Sequence, residues 1–214
     1  MYVPHFNALE DRAEIARMVE KVGSVELVTT GSDGYPLATL LPVIWEQGEG
    51  TERLVLHMAK ANPHWRAITD DAVGTPALAV VTGSQAYVSP AWYASKAGHG
   101  RVVPTWNYSA VHFTGRARLR RDPAWVLDAV TRLTDRNEER REEPWSVADA
   151  PATYVEKQLR AIVGIELTIE KVEAKAKLSQ NRDDADFTGV VEGLRREGAG
   201  RDLEVADQME DLER

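Results

Sequence analysis

Three β-like runs near the N-terminus constrain the fold of this chain most strongly. Residues 25–30, 37–45 and 54–58 are rich in branched and aliphatic side chains, and a Gly-Ser-Asp-Gly turn at 31–34 joins the first two. Antiparallel neighbours can be joined by a short turn, whereas parallel neighbours need a crossover of a dozen or more residues. The spacing therefore predicts an antiparallel meander. It argues against a parallel nucleotide-binding sheet, and the sequence has no GxGxxG or GxxxxGK(S/T) motif.

The rest of the chain adds further strands and separate helical stretches. Strand-like patterns recur at residues 77–82, 86–89, 106–119 and 165–178, and Gly83 is predicted to form a bulge or a turn between the first two of these. Helical patterns dominate residues 122–162 and 183–212. We expect one domain over residues 1–214, a small antiparallel barrel with helical insertions at about 122–162 and a helical C-terminal tail at about 183–212.

Charge and hydropathy exclude several classes of function. The chain has 26 basic and 34 acidic residues, a net charge of −8, whereas a dedicated nucleic-acid binder usually carries a basic patch. No uninterrupted apolar run is long enough to span a bilayer, and residues 1–6 lack the features of a signal peptide. We therefore expect a cytoplasmic protein without membrane association, for which direct binding to DNA is doubtful.

The sequence offers no established catalytic or metal-binding motif. It contains no cysteine, its five histidines do not form HxH, HxxxH or HExxH spacings, and it has no GxSxG nucleophile motif. These observations predict no metal site and give no support for acyl-transfer chemistry. They identify no catalytic residue.

A candidate anion site lies at residues 56–66. A predicted strand ends before Lys60, and Asn62-Pro63 is a typical start for a helix, whose first N–H groups can face an anion. Lys60, Arg66, His57 and His64 could add donors to a phosphate. The alternative is an ordinary capped surface helix, which is the commoner role for such a segment.

Two aromatic segments and one polar run could complete a ligand site. Residues 85–93 and 103–108 together contain two of the six tryptophans and three of the six tyrosines. Aromatic faces beside amide and hydroxyl groups suit a flat heteroaromatic ligand, although the same residues could simply form an aromatic core. The polar run 177–182 ends a predicted strand. It either adds donors to this site or caps the loop to the next helix.

Taken in order, these segments resemble the PaiB-like family of FMN-binding split-barrel proteins, often labelled negative transcriptional regulators. The resemblance is carried by residues 1–6, 38–42, 57–65, 87–93, 103–112 and 177–181. It implies a mainly β fold with appended helices (α+β), a six-stranded antiparallel split β-barrel that forms a homodimer with FMN in a groove between the subunits.

The same resemblance implies which residues hold the cofactor. The strand with Thr39 and Leu40 corresponds to the flavin edge, and the loop from His57 to His64 corresponds to the phosphate-binding part. The segment around Trp106 would line the ring. The implied cofactor-binding residues are Thr39, Leu40, His57, Lys60, Asn62, His64, Thr105, Trp106, Asn107, Lys177 and Gln180.

Two functions from different classes remain open at this point. The family label implies a flavin-binding negative regulator of transcription, and the net charge indicates that its action is indirect. The alternative is an FMN-dependent oxidoreductase that acts on a small molecule, in which the flavin supplies the redox chemistry and the protein positions the substrate. A third reading, a barrel that has lost flavin and binds another ligand, is consistent with the general rule that fold does not fix function.

Overall fold

The computed structural model describes residues 1–48 and 50–212. The strands are β1 (Ser24–Thr30), β2 (Pro36–Glu46), β3 (Arg53–Ala59), β4 (Thr75–Val88), β5 (Thr105–Arg120) and β6 (Ile162–Lys177). The α-helices are α1 (Arg12–Val22), α2 (Ser95–His99), α3 (Pro123–Glu138), α4 (Ala152–Leu159), α5 (Asp184–Glu197) and α6 (Gly200–Glu210). Short 3-10 helices cover His5–Asn7, Pro63–Ala67, Pro90–Trp92 and Val147–Asp149.

The six strands close into a barrel in the order β1-β2-β3-β6-β5-β4. The pairs β1–β2, β2–β3, β1–β4 and β3–β6 are antiparallel. The first three strands form the predicted meander, and the six-stranded mixed α+β fold class is confirmed.

Two differences from the sequence predictions concern local structure. Strand β4 runs unbroken through Gly83. A Cβ at this position would lie 2.5 Å from Ser109 Oγ and 2.8 Å from Met18 Cε, so a larger residue would not fit there. This glycine permits a close approach and does not end the strand. The predicted helix that starts at Pro63 is a five-residue 3-10 helix.

The chain divides into two compact units, and β4, β5 and β6 contribute residues to both. The barrel unit comprises Val19–Val81 and His112–Val172. The terminal unit comprises Met1–Met18, Thr82–Val111 and the residues from Glu173 onward. The expectation of a single domain over the whole chain stays a prediction.

The barrel unit has an apolar interior and a helix on its outside. Alternate residues of the strands, such as Leu27, Leu54 and Leu167, are buried in the interior, and Trp45 meets Phe113 edge to face with ring centroids 5.0 Å apart. Outside the barrel, α3 packs Ala129 and Leu133 against strand residues. Burial of these apolar side chains is the main source of stability.

The terminal unit is built around a second apolar cluster. Helices α5 and α6 pack their buried faces, including Val190, Leu194 and Val205, against strand residues such as Val88 and Leu178. The N-terminal segment belongs to the same unit, since the Met1 amino group donates to Glu173 at 2.9 Å. None of the helices in the described part of the chain is long and apolar enough to cross a membrane.

Candidate functional site

The first group of predicted site residues lies in the barrel unit, where β3 leads into the 3-10 helix. Asn62 caps this helix, since its Oδ1 accepts from His64 N at 3.0 Å. Its Nδ2 donates to Thr39 Oγ1 at 3.2 Å. The cap that was predicted from sequence is therefore present, and it ties the start of the helix to β2.

His64 is buried, with 3% of its surface exposed, and hydrogen-bonds two strands. Its Nε2 lies 2.8 Å from Thr29 Oγ1 and its Nδ1 lies 2.8 Å from Thr39 Oγ1. Burial lowers the pKa of this imidazole below its ordinary value, which favours the neutral form at physiological pH. Because both ring nitrogens already have threonine partners, this geometry supports a positioning role for His64 between β1 and β2.

Sequence reasoning missed the contribution of Thr29. This threonine is buried, at an inward position in the alternating pattern of β1. A polar residue at an inward strand position usually has a buried hydrogen-bond partner. That alternation was the available signal, but it could not identify the partner.

Lys60 is the exposed cation of the first group. Its Nζ donates to the carbonyl oxygen of Arg160 at 2.8 Å, just beyond the end of α4. Its own carbonyl accepts from Trp65 Nε1 at 2.9 Å. The Trp65 ring in turn has the guanidinium groups of Arg66 and Arg121 at 5.6 and 5.2 Å from its centroid. The end of β3 is therefore a locally cationic part of the barrel unit, despite the overall negative charge.

His57 and Leu40 occupy other positions in the same unit. His57 lies in β3 opposite Gly164 of β6, and burial lowers the pKa of its imidazole. Its Nδ1 is buried and has no hydrogen-bond partner among the described residues. Leu40 is an exposed residue of β2 and pairs with Glu26 of β1. An exposed leucine on a sheet is suitable for contact with the edge of a flat ligand.

The second group of predicted residues lies in the terminal unit. Lys177, near the end of β6, donates its Nζ protons to Thr105 Oγ1 and to the carbonyl oxygen of Trp106. Burial and the charges of Lys175 and Arg182 lower the pKa of Lys177. The Trp106 ring is exposed and meets Tyr87 edge to face, with centroids 6.2 Å apart. The structure thus brings Thr105, Trp106 and Lys177 together.

Asn107 and Gln180 have their polar atoms occupied within the terminal unit. Asn107 is completely buried, and its Nδ2 donates to Ser179 Oγ at 3.0 Å and lies 3.3 Å from Met209 Sδ. Gln180 Oε1 accepts from Leu178 N at 2.7 Å, which closes a local turn. Ser179, which lies between Leu178 and Gln180, adopts a left-handed φ of 64°. These contacts support structural roles for Asn107 and Gln180, whose predicted contact with a cofactor stays a prediction.

Each group by itself suits a part of FMN. The group in the barrel unit has the exposed cation Lys60, which can neutralise a phosphate, and the group in the terminal unit has the exposed ring of Trp106, which suits the isoalloxazine. Within residues 1–48 and 50–212, no three His, Asp or Glu side chains are grouped so as to hold a metal ion.

Comparison with solved structures defines the class of fold. The FAD- and heme-binding protein of Mycobacterium smegmatis matches with a TM-score of 0.60 at 20% identity, covering 87% of this chain and 80% of that one. The flavocytochrome Anf3 of Azotobacter vinelandii matches with a TM-score of 0.54 at 19% identity, covering 80% and 70%. The chain therefore has the split-barrel fold.

Comparison of sequences then gives the family. The family model described as "Putative FMN-binding domain" matches residues 1–171. The "Protease synthase and sporulation protein PAI 2" (PaiB) of Bacillus subtilis (strain 168) is 32% identical over 212 residues, 99% of this chain and 97% of that protein. The chain belongs to this FMN-binding family. The predicted PaiB-like family and the predicted cofactor, FMN, are confirmed.

Proposed function

We propose that this protein is an FMN-binding negative regulator that acts without direct contact to DNA, as a cytoplasmic homodimer. The observation that carries the proposal is the extent of the match to PaiB. The family model ends at residue 171, whereas the likeness to PaiB covers 99% of the chain. That likeness therefore includes the α5–α6 region as well as the FMN-binding part, and the name of PaiB associates it with sporulation and protease synthesis.

Indirect action is supported by the charge of the C-terminal helix pair. Helices α5 and α6 are separated by two residues, a connection short enough for a helix-turn-helix. A recognition helix must approach the phosphates of DNA. Helix α6 carries one arginine, Arg201, against four carboxylates, a net charge of −3. Its electrostatic field opposes that approach.

The FMN-loaded protein alone is expected to bind duplex DNA weakly and without sequence preference at physiological salt, because a net charge of −8 opposes contacts with the phosphates. An electrophoretic mobility shift measured over a range of salt concentrations tests this. A sequence-specific shift that persists at high salt would restore the direct-repressor reading.

A homodimer is the expected assembly, because a closed two-fold interface is the commonest form of soluble oligomer. Support comes from the barrel unit, where Leu40 is exposed on β2. Sedimentation of the FMN-loaded protein at micromolar concentration should give twice the chain mass of 23.8 kDa. A stable species at the chain mass under these conditions would contradict the dimer.

Lys60 is proposed to hold the FMN phosphate, since it is an exposed cation at the end of β3 beside Arg66 and the Asn62 cap. The 3-10 helix has only five residues, so the contribution of its dipole, expected from sequence, is small and the lysine carries the attraction. A charge-assisted hydrogen bond contributes about 1.5–3 kcal/mol to binding. Lys60→Ala should therefore weaken the binding of FMN roughly ten- to a hundredfold. The affinity for riboflavin, which lacks the phosphate, should change much less.

Flavin fluorescence titrations with both ligands measure this difference. Lys96→Ala serves as the matched control, because Lys96 is an exposed lysine on α2 and is expected to be neutral. Equal weakening of FMN and riboflavin by Lys60→Ala would show that Lys60 only supports the loop through Arg160. No change in either would place the phosphate elsewhere.

The second candidate function is an FMN-dependent oxidoreductase acting on a small molecule. It is favoured by the exposed ring of Trp106 beside Lys177, which provides polar and aromatic groups that a substrate could use. When bound, FMN supplies the redox chemistry, and these side chains orient the substrate. Reductant-driven turnover with candidate acceptors, in parallel with the DNA shift assay, separates the two functions.

A further inference from the structure

The connection between β4 and β5 contains a segment that is exposed to solvent along almost its whole length. We call residues 96–104 the strap. They include most of α2 and lead directly into Thr105 and Trp106. Every residue of the strap is exposed except Val102, which packs against the apolar cluster of the terminal unit. The strap belongs to the same unit, so it borders the candidate flavin residues Thr105 and Trp106 without being one of the groups described above.

The strap makes hydrogen bonds only within its own neighbourhood. Lys96 N donates to the carbonyl oxygen of Tyr93 at 3.2 Å, and Arg101 N donates to His99 Nδ1 at 3.0 Å. In the part of the chain that the structure describes, no hydrogen bond joins the strap to a residue outside positions 93–104. Segments with few buried contacts and exposed hydrogen bonds open at a low cost in free energy. The strap therefore has little that holds it in one position.

Both ends of the strap, by contrast, are fixed to the rest of the terminal unit. At the start, the N–H and the hydroxyl of Ser95 donate to the two carboxylate oxygens of Asp186 at 2.8 and 2.7 Å. Burial alone would raise the pKa of Asp186, but these hydrogen bonds hold the pKa below its ordinary value, so the carboxylate is charged at neutral pH. At the other end, Lys177 donates to Thr105 Oγ1. A segment that is anchored at both ends and free between them can move as a unit.

Two glycines give the strap the backbone freedom for such a movement. Gly98 has no atom within 4 Å of the position that a Cβ would occupy. Gly100 ends α2 in the left-handed region, with a φ of 66°. Glycine adopts such conformations without steric cost. The middle of the strap can therefore change its conformation while Ser95 and Thr105 stay in place.

Val103 is the apolar side chain that this movement would place on a ligand. It is 64% exposed and lies three residues before Trp106, which is 52% exposed. Three residues of extended chain span at most about 11 Å, so Val103 is within reach of a planar group that packs on the Trp106 ring. More than half of the surface of each residue is in contact with water in this structure. A flat ring between Val103 and Trp106 would bury apolar surface of both.

From these observations we propose that the strap is open in the flavin-free protein and closes over the isoalloxazine ring of FMN when that ring packs on Trp106. The inference rests on the proposed binding of FMN at this position and adds a conformational response to it. A ligand shifts such an equilibrium only through contacts that it makes in one of the two states. Here those contacts are the ones between the flavin ring and Val103.

This response would connect flavin binding to regulation. A regulator that acts without touching DNA needs a surface that differs between its flavin-free and flavin-loaded states. The strap is such a surface, because it is exposed and carries Lys96, His99 and Arg101 without any carboxylate of its own. In the oxidoreductase alternative, the same closure would exclude water from the ring.

Hydrogen exchange of the full-length protein, followed by mass spectrometry, tests the closure. Peptides that cover the strap should exchange rapidly in the flavin-free protein. Saturation with FMN should slow this exchange at least about tenfold, because an amide exchanges from the open form. Riboflavin, which has the same ring without the phosphate, should protect the strap as well. Flavin fluorescence of the same samples gives the fraction of protein that is loaded.

Val103→Ser is the variant that tests the contact with the ring. Because Val103 is exposed, this substitution should leave the fold and the exchange of the flavin-free protein unchanged. It should lose most of the protection that FMN gives to the strap. The matched control is Val73→Ser, which changes a valine that is 71% exposed in the barrel unit. This control should keep the protection of the wild-type protein.

Several results would overturn the inference. One is a strap that exchanges equally fast with and without bound FMN, and another is a strap that is already protected in the flavin-free protein. Protection by FMN but not by bound riboflavin would show that the ring is not the contact, and full protection in Val103→Ser would show that Val103 is not. If fluorescence shows no bound flavin, the proposed binding of FMN itself is contradicted, which separates that failure from a failure of the strap to close.

Discussion

Replacing Gly115 with alanine is expected to destabilise the fold by more than about 3 kcal/mol. Gly115 lies in β5, and a Cβ at this position would be 2.0 Å from the backbone oxygen of Thr168 in the neighbouring strand β6. The obstacle is backbone, so no side-chain rotation can relieve it. The strands would have to separate where β6 also pairs with β3, in a protein whose total stability is expected to be about 5–15 kcal/mol.

Urea denaturation of the FMN-free protein measures this loss directly. The control is Gly98→Ala in α2, where nothing lies within 4 Å of the added methyl group. Alanine is the better helix former, so this variant should be unchanged or slightly stabilised, by up to about 1 kcal/mol. If the Gly115→Ala variant unfolds at the same urea concentration as the wild-type protein, β5 and β6 do not approach each other as closely at Gly115 as the structure shows.

The sequence predicts the meander well because turn length restricts local topology. Only short connections link β1, β2 and β3, and such connections permit antiparallel pairing alone. Of the two predictions for Gly83, a bulge or a turn, the turn is wrong for a physical reason. A glycine between two strand-like runs is typical of a turn, but it is also needed where another segment comes within van der Waals contact, and sequence alone does not distinguish the two.

The candidate site was predictable where its contacts are local. Asn62 caps the helix that starts one residue later, and both the cap and the proline at its first position follow from neighbouring residue types. The partners of His64 and Lys60 were not predictable. Thr29 is 35 positions from His64, and Arg160 is 100 positions from Lys60, so these contacts depend on strand register and helix placement. Successive residues of a strand point to opposite faces, so the adjacent positions of Trp106 and Asn107 in β5 were the available sign that the two side chains differ in role.

A second large effect is expected at Glu166, a carboxylate that is only 5% exposed in the barrel unit. It accepts from Arg120 at 2.5 Å and from Arg53 at 3.1 Å. Arg53 also pairs with Glu46, which Arg132 of α3 contacts in turn. Burial alone would raise the pKa of Glu46, but hydrogen bonds from Arg53 and Arg132 lower it below its ordinary value. Glu166 is therefore part of a network that links α3 to the strands.

Glu166→Ala should cost about 3 kcal/mol, because it leaves the partly buried guanidinium of Arg120 without its carboxylate partner, whereas Arg53 keeps Glu46. Urea denaturation again gives the measurement. The matched control is Glu170→Ala on the same strand, which removes the exposed pair with Arg116 at 3.3 Å. Surface pairs contribute about 0–1 kcal/mol, so this change should be small. Similar losses at both positions would show that burial does not decide the effect.

A double-mutant cycle separates the value of the ion pair from the cost of leaving a charge unpaired. In Glu166→Leu the apolar side chain fills the space, but Arg120 keeps its charge without its 2.5 Å partner. Adding Arg120→Met removes that charge, so the double variant should be more stable than Glu166→Leu alone, by about 1–3 kcal/mol. Additive losses would mean that the two side chains act independently. A gain in the double variant would show that the single substitution is costly mainly through the arginine that it leaves behind.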